Sequence, residues 1–453
     1  MPATSPKRSP TTSPESRAGE DRCPGALRLA EVADGYLARV RLPGGFVTGK
    51  QLRVLAGLAT ELGDGRIELT SRGNVQLRAL AADAAEPLTE ALTQAGLLPS
   101  LDHDRVRNVL ASPLAGLDGL GSGRDLTAIV AALDAELCAR PRLAELSGRF
   151  LFAIDDGRGD VAGPGADVVA VVRADGIVVN GLAVTGIAVN GPLPMAGGSV
   201  LESGADADDT VANGLTAYEP VAAPTAPRSD PDAALADVVA VMLAFAEAFL
   251  DERAAVGSAA WRLSDLPGGA ERVRTAVAGR FGLSPVPELP APVAAARPVG
   301  LVRRRADGGG GVEPRSVTPD GLDSLVLLAP LGRLTAAQVT WLAARAAGRP
   351  ARVTPWRSVV LPDQRGADEA LREAARLGFG VDDRSPWLRV TACTGRPGCA
   401  SALADVQADA AGFAARWPGR IVHVSGCGRH CGRPAVTEID VTATSEGYSV
   451  AEV

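Results

Sequence analysis

Four of the six cysteines stand near the carboxyl terminus in two pairs, and each pair lies in a short glycine-rich segment. Five residues separate Cys393 from Cys399, and three separate Cys427 from Cys431. Thiolates bind soft iron, and an iron–sulfur cube needs four of them on loops that wrap the cluster from two sides. The spacing therefore predicts a metal site that holds a 4Fe–4S cluster.

Two other interpretations of these cysteines stay open at this point. Zinc is also bound by cysteine pairs, but two to four residues usually separate the members of such a pair, and a five-residue spacer that contains Pro397 is unusual. In a zinc site, the imidazole of His430 can replace one thiolate. The cysteines can also be free thiols in the protein core, although packing alone rarely places such pairs in glycine-rich loops.

The overall charge restricts the kind of partner that the chain attracts. The 453 residues include 46 lysines and arginines and 53 aspartates and glutamates, which gives a formal charge of −7. No global positive field attracts nucleic acid or an anionic membrane, so any bound anion must meet a local cluster of cations. Nearly all of the cations are arginines, whose planar guanidinium pairs with a carboxylate through two parallel hydrogen bonds.

No segment has the features of a secretion signal or of a membrane span, so we expect a cytoplasmic protein. The most apolar helical stretch, residues 233–250, contains Asp237 and Glu247 and is too short and too charged for a bilayer. Residues 1–22 are rich in Ser, Thr, Pro and charge and are expected to be a disordered tail. The length predicts two to four domains.

Two stretches of the chain have the same order of elements, which indicates an internal duplication. In the first, a strand, a turn at Pro43, a helix with Thr48 as its N-cap and a second strand lead to Arg72. In the second, a strand, a turn at Pro330, a helix and a further strand lead to Arg357. The duplication predicts that Arg72 and Arg357 are equivalent residues at one pseudo-symmetric site.

Together these motifs resemble those of the sirohaem nitrite and sulfite reductase superfamily. The resemblance rests on the two cysteine pairs and on the segments 39–45, 69–77 and 107–109. Within the superfamily, the forms of 69–77 and 354–357 are most similar to the precorrin-3B synthases of aerobic cobalamin biosynthesis. The resemblance covers nearly the whole chain from Cys23 onward.

The resemblance implies an α+β, internally duplicated, nitrite/sulfite reductase-like fold. Two ferredoxin-like half-domains and two α/β domains would then surround a central tetrapyrrole cleft. The expected segments are a disordered tail (1–22), a first ferredoxin-like half-domain (23–100), a first α/β domain (101–225), a bridging helix with a proline-rich linker (226–298), a second ferredoxin-like half-domain (299–372) and an iron–sulfur-binding domain (373–453).

The same resemblance implies the roles of individual residues. The four paired cysteines would hold the cluster, with Cys431 facing the tetrapyrrole, and residues of the strand and turn motifs would bind the acidic side chains of the macrocycle. The expected substrate-binding residues are Arg39, Arg41, Arg72, Gln76, Arg107 and Arg357. The expected catalytic residues are Arg107 and Arg149.

One motif departs from the reductases of the superfamily. Those enzymes place two lysines in a Lys-Phe-Lys motif that binds and protonates sulfite or nitrite, and the matching residues here are Arg149, Phe150 and Leu151. Without those lysines, a six-electron reduction lacks proton donors and anion stabilisation. The departure favours a protein that binds a precorrin as substrate, where a reductase binds sirohaem as cofactor.

The first hypothesis is therefore a monooxygenase, and the alternative is an assimilatory sulfite or nitrite reductase with bound sirohaem. The resemblance to the synthases implies O2-dependent hydroxylation of precorrin-3A at C20, with γ-lactone formation and two electrons from a reduced nicotinamide. No nicotinamide-binding fingerprint is present, so we expect a separate reductase or ferredoxin to deliver the electrons. A second, mononuclear iron is a further hypothesis, for which the sequence names no ligands.

Overall fold

The computed structural model of the protein describes residue 21 and residues 23–163, 165–184, 231–286, 298–303 and 322–453. Apart from Asp21, the expected tail lies outside the described residues. The stretch 185–230 and most of the expected proline-rich linker, residues 287–297, also lie outside them. The expected segment boundaries remain predictions.

Eight α-helices and nineteen strands lie within the described ranges. The helices are α1 (Gly49–Leu62), α2 (Ala85–Gln94), α3 (Thr127–Cys138), α4 (Pro231–Ala255), α5 (Gly269–Phe281), α6 (Ala336–Arg345), α7 (Ala367–Arg376) and α8 (Val406–Arg416). The strands are β1 (Ala30–Val32), β2 (Gly35–Val40), β3 (Phe46–Val47), β4 (Arg66–Leu69), β5 (Val75–Leu80), β6 (Val109–Ala111), β7 (Phe152–Asp155), β8 (Val168–Val172), β9 (Ile177–Val179), β10 (Leu182–Val184), β11 (Gly300–Val302), β12 (Asp323–Leu328), β13 (Arg333–Thr335), β14 (Ala351–Val353), β15 (Ser358–Gln364), β16 (Val390–Ala392), β17 (Val422–Ser425), β18 (Ile439–Thr444) and β19 (Gly447–Glu452).

The two repeats form two five-stranded antiparallel sheets that exchange their edge strands. The first sheet has the order β1-β2-β5-β4-β13, and the second has the order β11-β12-β15-β14-β3. Leu334 of β13 therefore pairs with Ile67 in the first repeat, while Phe46 of β3 pairs with Arg352 in the second. Each repeat completes the sheet of the other, and the expected internally duplicated α+β fold is confirmed.

The helices α1 and α6 occupy equivalent places in the two repeats and share one apolar core. Each begins with the same reciprocal cap. Thr48 accepts a hydrogen bond from the backbone N–H of Gln51, and Thr335 accepts one from the backbone N–H of Gln338. In both cases the glutamine side chain returns a bond to the threonine N–H, so that free backbone groups at the helix start are satisfied.

The turn before the last strand of each repeat corrects the expected equivalence of Arg72 and Arg357. The Thr70 hydroxyl accepts a hydrogen bond from the backbone N–H of Arg72 (3.3 Å), and the Thr354 hydroxyl accepts one from the backbone N–H of Trp356 (3.2 Å). The residue two positions after the threonine is thus arginine in one repeat and tryptophan in the other. The prediction that the two arginines are equivalent is wrong.

Arg357 instead takes the position of Gly73. Both residues donate their backbone N–H to the carbonyl of the turn threonine, and both have a positive φ, 65° for Gly73 and 62° for Arg357. A left-handed conformation favours glycine, because the β-carbon of other residues is crowded there. An arginine held at this position is a departure from local preference of the kind found at functional sites.

Two further sheets complete the fold. In the sheet β10-β9-β8-β7-β6, the strands β6, β7 and β8 are parallel, and α3, α4 and α5 contribute to the core that it shares. In the sheet β16-β17-β18-β19, the first three strands are parallel and α8 packs against them. None of the helices in the described ranges is both long and apolar enough to cross a bilayer.

Candidate functional site

The loops of Cys393 and Cys427 lie together at the carboxyl ends of the parallel strands of the last sheet, a place that we call the cysteine edge. The strands β16 and β17 are parallel, with Ala392 opposite Val424, so their carboxyl ends lie together. Cys393 directly follows the first strand, and Cys427 comes two residues after the second. The backbone N–H between them, that of Gly426, donates to the Cys393 sulfur at 3.1 Å. The fold therefore brings the two cysteine loops together, although the sequence separates them by 33 residues.

The donor set at this edge, four cysteines on two loops, suits the soft iron of an iron–sulfur cluster. Within the described part of the chain, no three cysteine sulfurs come within 4.8 Å of one another. His430, the possible substitute ligand, places its Nδ1 3.0 Å from Asp440.

The cysteine edge also contains a glycine at a close approach of two loops, which we call the cradle, and a buried hydroxyl without a hydrogen-bond partner among the described residues. A β-carbon added at Gly426 would lie 2.8 Å from the Ala402 β-carbon and 3.5 Å from the Cys393 sulfur, so only glycine lets the loops approach this closely. The neighbouring Ser425 hydroxyl is fully buried and has no hydrogen-bond partner among the described residues. A buried polar group of this kind calls for a partner that the described protein atoms do not supply.

Three arginines of the first repeat form a second feature, which we call the arginine cluster: Arg39, Arg41 and Arg72. Arg41 is only 1% exposed, and its Nη2 donates to the carbonyl oxygens of Pro24 and Arg105 at 3.2 Å, while its Nη1 has no partner in the described structure. Arg72 donates to the carbonyl oxygen of Gly148 at 3.3 Å. These bonds orient the guanidinium groups without neutralising them.

Arg39 is held by Gln76, another expected substrate-binding residue. Its Nη2 donates to Gln76 Oε1 at 3.2 Å, and its buried Nε has no partner among the described residues. Gln76 in turn donates to Glu68 at 2.6 Å. The structure thus brings four of the expected substrate-binding residues, Arg39, Arg41, Arg72 and Gln76, to the first repeat and leaves donor capacity unused there.

No carboxylate of the described residues forms an ion pair with the arginine cluster. Burial lowers the pKa of Arg41 to about 9, and repulsion from Arg39 contributes to the decrease. Burial also lowers the pKa of Arg39 and of Arg72, and the nearby Arg262 lowers the latter further. Like charges held together in a partly buried site favour the binding of an anion, which would restore their charged forms.

Cys23 lies among these arginines, which its isolated position in the sequence did not indicate. Burial is the largest cause of the raised pKa of its thiol, followed by the charge of Asp21, while Arg41 and Arg149 act in the opposite direction. Its β-carbon also lies against Gly148, where an added β-carbon would approach it to 2.7 Å. The amino-terminal segment therefore closes one side of the arginine cluster.

A cavity of about 310 Å³ joins the two repeats to the cysteine edge. The guanidinium of Arg357, which lines it, makes no hydrogen bond or ion pair with the described residues, and burial lowers its pKa. Other residues that line the cavity are Ser71, Trp356, Trp387, Thr391 and Gly432. Ser71 precedes Arg72 and Gly432 follows Cys431 in the chain, so the cavity wall includes a chain neighbour of each feature.

Arg107 does not contribute a free guanidinium to this site. Its Nε and Nη2 donate to the Asp134 carboxylate at 2.7 and 2.6 Å, its Nη1 donates to the Leu97 carbonyl at 2.8 Å, and the side chain is only 3% exposed. The paired carboxylate raises the pKa of Arg107 in spite of its burial. A buried ion pair of this kind holds the segment to α3, and nothing in this geometry supports the expected catalytic and substrate-binding roles.

Arg149 and Leu151, which stand where the reductases have two lysines, do not provide the pair of cations that those enzymes have. Arg149 is exposed, and its guanidinium lies over the Trp261 ring at 4.7 Å from the ring centre. Leu151 is buried in a small apolar cluster with Leu110 and Ala153. One lysine position of the reductase motif is thus occupied by a stacked surface arginine, and the other by a core side chain.

Comparisons with known proteins agree with this architecture. The model of the nitrite/sulfite reductase ferredoxin-like half domain matches residues 29–95. A ferredoxin–nitrite reductase of Synechococcus elongatus is 28% identical over 89% of this chain and 75% of its own. A precorrin-3B synthase of a Sinorhizobium species is 26% identical over 94% of this chain and 82% of its own. The chain thus contains a nitrite/sulfite reductase ferredoxin-like half domain at residues 29–95 and is similar over most of its length to both of these relatives.

These similarities confirm the resemblance found in the sequence, including the similarity to the precorrin-3B synthases. The structure of the Mycobacterium tuberculosis NirA protein superimposes with a TM-score of 0.62 over 92% of this chain and 73% of its own, at 19% identity. That similarity confirms the expected fold. The names of the relatives, a nitrite reductase and a precorrin-3B synthase, divide between the two reactions that the sequence left open.

Proposed function

We propose that the protein is a monooxygenase that converts precorrin-3A to precorrin-3B in cobalamin biosynthesis. The arginine cluster, which has no carboxylate partner among the described residues, is the observation that carries this proposal. A precorrin presents several acetate and propionate groups, and guanidinium groups bind carboxylates through paired, charge-assisted hydrogen bonds. The site is therefore suited to an acidic macrocycle.

The cavity between the repeats supports the same substrate class. Trp356 and Trp387 provide flat aromatic surfaces, and Arg357 provides a further unpaired guanidinium beside them. A tetrapyrrole has both a flat conjugated body and an acidic rim, which require these two kinds of contact. The replacement of the expected second arginine by Trp356 thus makes the two halves of the site chemically different.

The motif at Arg149 and Leu151 separates the proposal from its alternative. Reduction of sulfite or nitrite needs cations that bind a small anion and deliver protons. Here Leu151 lies in an apolar cluster and Arg149 is stacked on Trp261. A sirohaem-dependent reductase remains the second candidate, because the Synechococcus elongatus nitrite reductase matches 89% of the chain.

In the proposed reaction, one atom of O2 becomes the hydroxyl oxygen at C20, and the other leaves as water after the uptake of two electrons and two protons. The carboxyl group of a ring A acetate forms the lactone C–O bond at the ring carbon next to C20, as the double bond between that carbon and C20 is lost and the carboxyl proton ends on the C20 oxygen. The arginine cluster holds the peripheral carboxylates and fixes which edge of the macrocycle faces the cysteine edge. A reduced nicotinamide would supply the electrons through a separate reductase or ferredoxin.

Cys393, Cys399, Cys427 and Cys431 would hold a 4Fe–4S cluster, which supplies one-electron transfer when it is bound. Cys431 is exposed, and it adjoins Gly432 at the wall of the cavity. A cluster held there would lie next to the proposed substrate. We assign no ligands to a second, mononuclear iron.

Asp155, Asp156 and Asp160 form an acidic group. Among the described residues, it is the only group of three or more His, Cys, Asp or Glu side chains whose potential metal-ligating atoms all lie within 4.8 Å of one another. Asp155 accepts hydrogen bonds from the backbone N–H groups of the loop that follows it, and Asp156 pairs with Arg158 at 2.7 Å. These contacts stabilise the loop, and we assign the carboxylates this structural role.

Parallel turnover assays test the proposal. The protein, purified without oxygen and reduced by a chemical donor, is given precorrin-3A with O2 in one assay and sulfite or nitrite in the other. We expect a product that has gained one oxygen atom in the first assay and no reduced anion in the second. Arg72→Gln should abolish product formation, whereas the exposed α1 variant Arg53→Gln should retain it. Stoichiometric sirohaem together with sulfide or ammonia formation would establish the reductase instead.

A further inference from the structure

Gln407, which no sequence motif singled out, connects α8 to the first cysteine loop. Its Nε2 donates to the main-chain carbonyl of Cys393 at 3.2 Å, and its Oε1 accepts a hydrogen bond from Arg333 Nη1 at 2.8 Å. The side chain therefore uses both ends of its amide. Since a peptide unit is planar, a fixed Cys393 carbonyl also fixes the direction of the N–H of the next residue.

Arg333 is itself held from the first repeat. It lies on β13, the strand that completes the first repeat's sheet, and donates to Asp64 at 3.1 Å. Its Nε lies 3.3 Å from the Glu68 carboxylate. Two acidic residues of one repeat thus orient a guanidinium of the other, and that guanidinium orients the amide of Gln407.

The same contacts lead back to the arginine cluster. Glu68 accepts a hydrogen bond from Gln76 at 2.6 Å, and Gln76 accepts one from Arg39 at 3.2 Å. A continuous series of polar contacts therefore runs from Arg39 to the Cys393 carbonyl. Each member is a side chain with a partner on both sides, so the conformation of Gln407 is fixed by its neighbours.

We propose that Gln407, oriented by Arg333, is a positioning residue that fixes the Cys393 loop and raises the reduction potential of the bound cluster. The inference rests on the cluster that the proposed function requires. The Gln407 amide, which donates to the main-chain carbonyl of a proposed cluster ligand, stabilises the additional electron of the reduced state, as hydrogen bonds near a cluster generally do, while Asp64 and Glu68 balance the charge of Arg333. The loss of the donor should therefore make the cluster harder to reduce.

The test uses two variants of the full chain, Gln407→Leu and Gln407→Glu, after anaerobic reconstitution with iron and sulfide. Leucine removes both hydrogen bonds, whereas glutamate keeps an acceptor for Arg333 and replaces the donor with a negative charge. Gln94→Leu on α2 is the matched control, because Gln94 is exposed and bonds only to Glu90 among the described residues. Iron and sulfide content, the midpoint potential from an EPR-monitored titration and the melting temperature of the cluster-free chain are measured.

We expect the equilibrium between oxidised and reduced cluster to shift about tenfold toward the oxidised form in Gln407→Leu, which is about 59 mV for one electron, and further in Gln407→Glu. The melting temperature of the cluster-free chain should fall by less than about 4 °C. A Gln407 variant that loses its cluster, while its cluster-free chain keeps the wild-type melting temperature, also supports the proposal.

Unchanged potentials at full iron content would overturn the positioning role. A large, parallel loss of folding in both variants would overturn it as well, because Gln407 would then be a general structural residue. If wild-type protein binds no cluster, the proposed function itself fails, and the two failures are thus distinguishable. A cluster that forms and titrates without precorrin turnover leaves the positioning role supported and contradicts only the reaction.

Discussion

Arg41 is the most deeply buried member of the arginine cluster, and its replacement by methionine separates ligand binding from folding. Burial and Arg39 lower its pKa to about 9. Relative to an ordinary guanidinium, this is a fall of more than three orders of magnitude in proton affinity. At about 1.36 kcal/mol for each order, keeping the charge in the ligand-free site costs roughly 4 to 5 kcal/mol.

The favourable contacts of Arg41 offset part of that cost. It donates three hydrogen bonds to the carbonyl oxygens of Arg105 and Pro24, and each hydrogen bond from a charged donor contributes roughly 1.5 kcal/mol. Methionine gives up roughly 4 to 5 kcal/mol from these bonds and removes a charge penalty of about the same size. We therefore expect the stability of ligand-free Arg41→Met to lie within about 1 kcal/mol of wild type.

Ligand binding should change much more than stability. A desolvated charge pair with a substrate carboxylate is worth at least about 2 kcal/mol, so the affinity for a tetrapyrrole polycarboxylate should fall by roughly 30-fold or more. Urea denaturation measures the stability, and quenching of tryptophan fluorescence by uroporphyrin measures the affinity. Arg53→Met on the exposed face of α1 is the control. Loss of more than about 3 kcal/mol of stability with wild-type affinity would refute this reasoning, because Arg41 would then be structural.

Three further predictions concern single residues. Gly426→Ala places a methyl group 2.8 Å from Ala402, so iron and sulfide content should fall by half or more while circular dichroism is unchanged; full iron content would contradict the cradle. Burial raises the pKa of Asp160 to about 7, so the folded chain binds more protons than the unfolded chain between about pH 4 and 7, and stability falls as the pH rises through that window. Asp160→Asn should therefore add about 2 kcal/mol at pH 8 and nothing below about pH 4 in urea titrations, and an equal gain at both pH values would exclude this cause. Arg357→Gly relieves a φ of 62° and should add about 1 kcal/mol to the stability of the ligand-free protein, while uroporphyrin binds about tenfold more weakly; unchanged binding would remove Arg357 from the site.

Local patterns in the sequence predicted the elements of the repeats well, because their signals lie within a few residues. Thr48 and the helix after it follow from the cap and the apolar periodicity, and the structure places α1 at Gly49–Leu62. The exchange of β3 and β13 between the sheets was not predictable in this way. It depends on pairing between Leu334 and Ile67, which are distant in the chain and have no local signal.

The site was predicted in part, for similar reasons. The four cysteines and most of the arginine cluster stand in motifs, whereas the position of Cys23 results from how the amino-terminal segment packs. The prediction that Arg72 and Arg357 are equivalent was wrong because aligning the two repeats by residue type shifts them by one position. The hydrogen bonds of the turn threonines define the correct alignment. The role of Arg107 depended on Asp134, a partner 27 residues away whose proximity only the fold determines.

Isotopically labelled O2 tests the central claim most directly. The protein is incubated with precorrin-3A, a reduced electron donor and labelled O2, and the tetrapyrrole product is analysed by mass spectrometry. We expect the product to carry one labelled oxygen atom and the arginine-cluster variant Arg72→Gln to form none. Unlabelled, unchanged substrate from a protein that holds its cluster and an extractable sirohaem would show that the protein is not a precorrin monooxygenase.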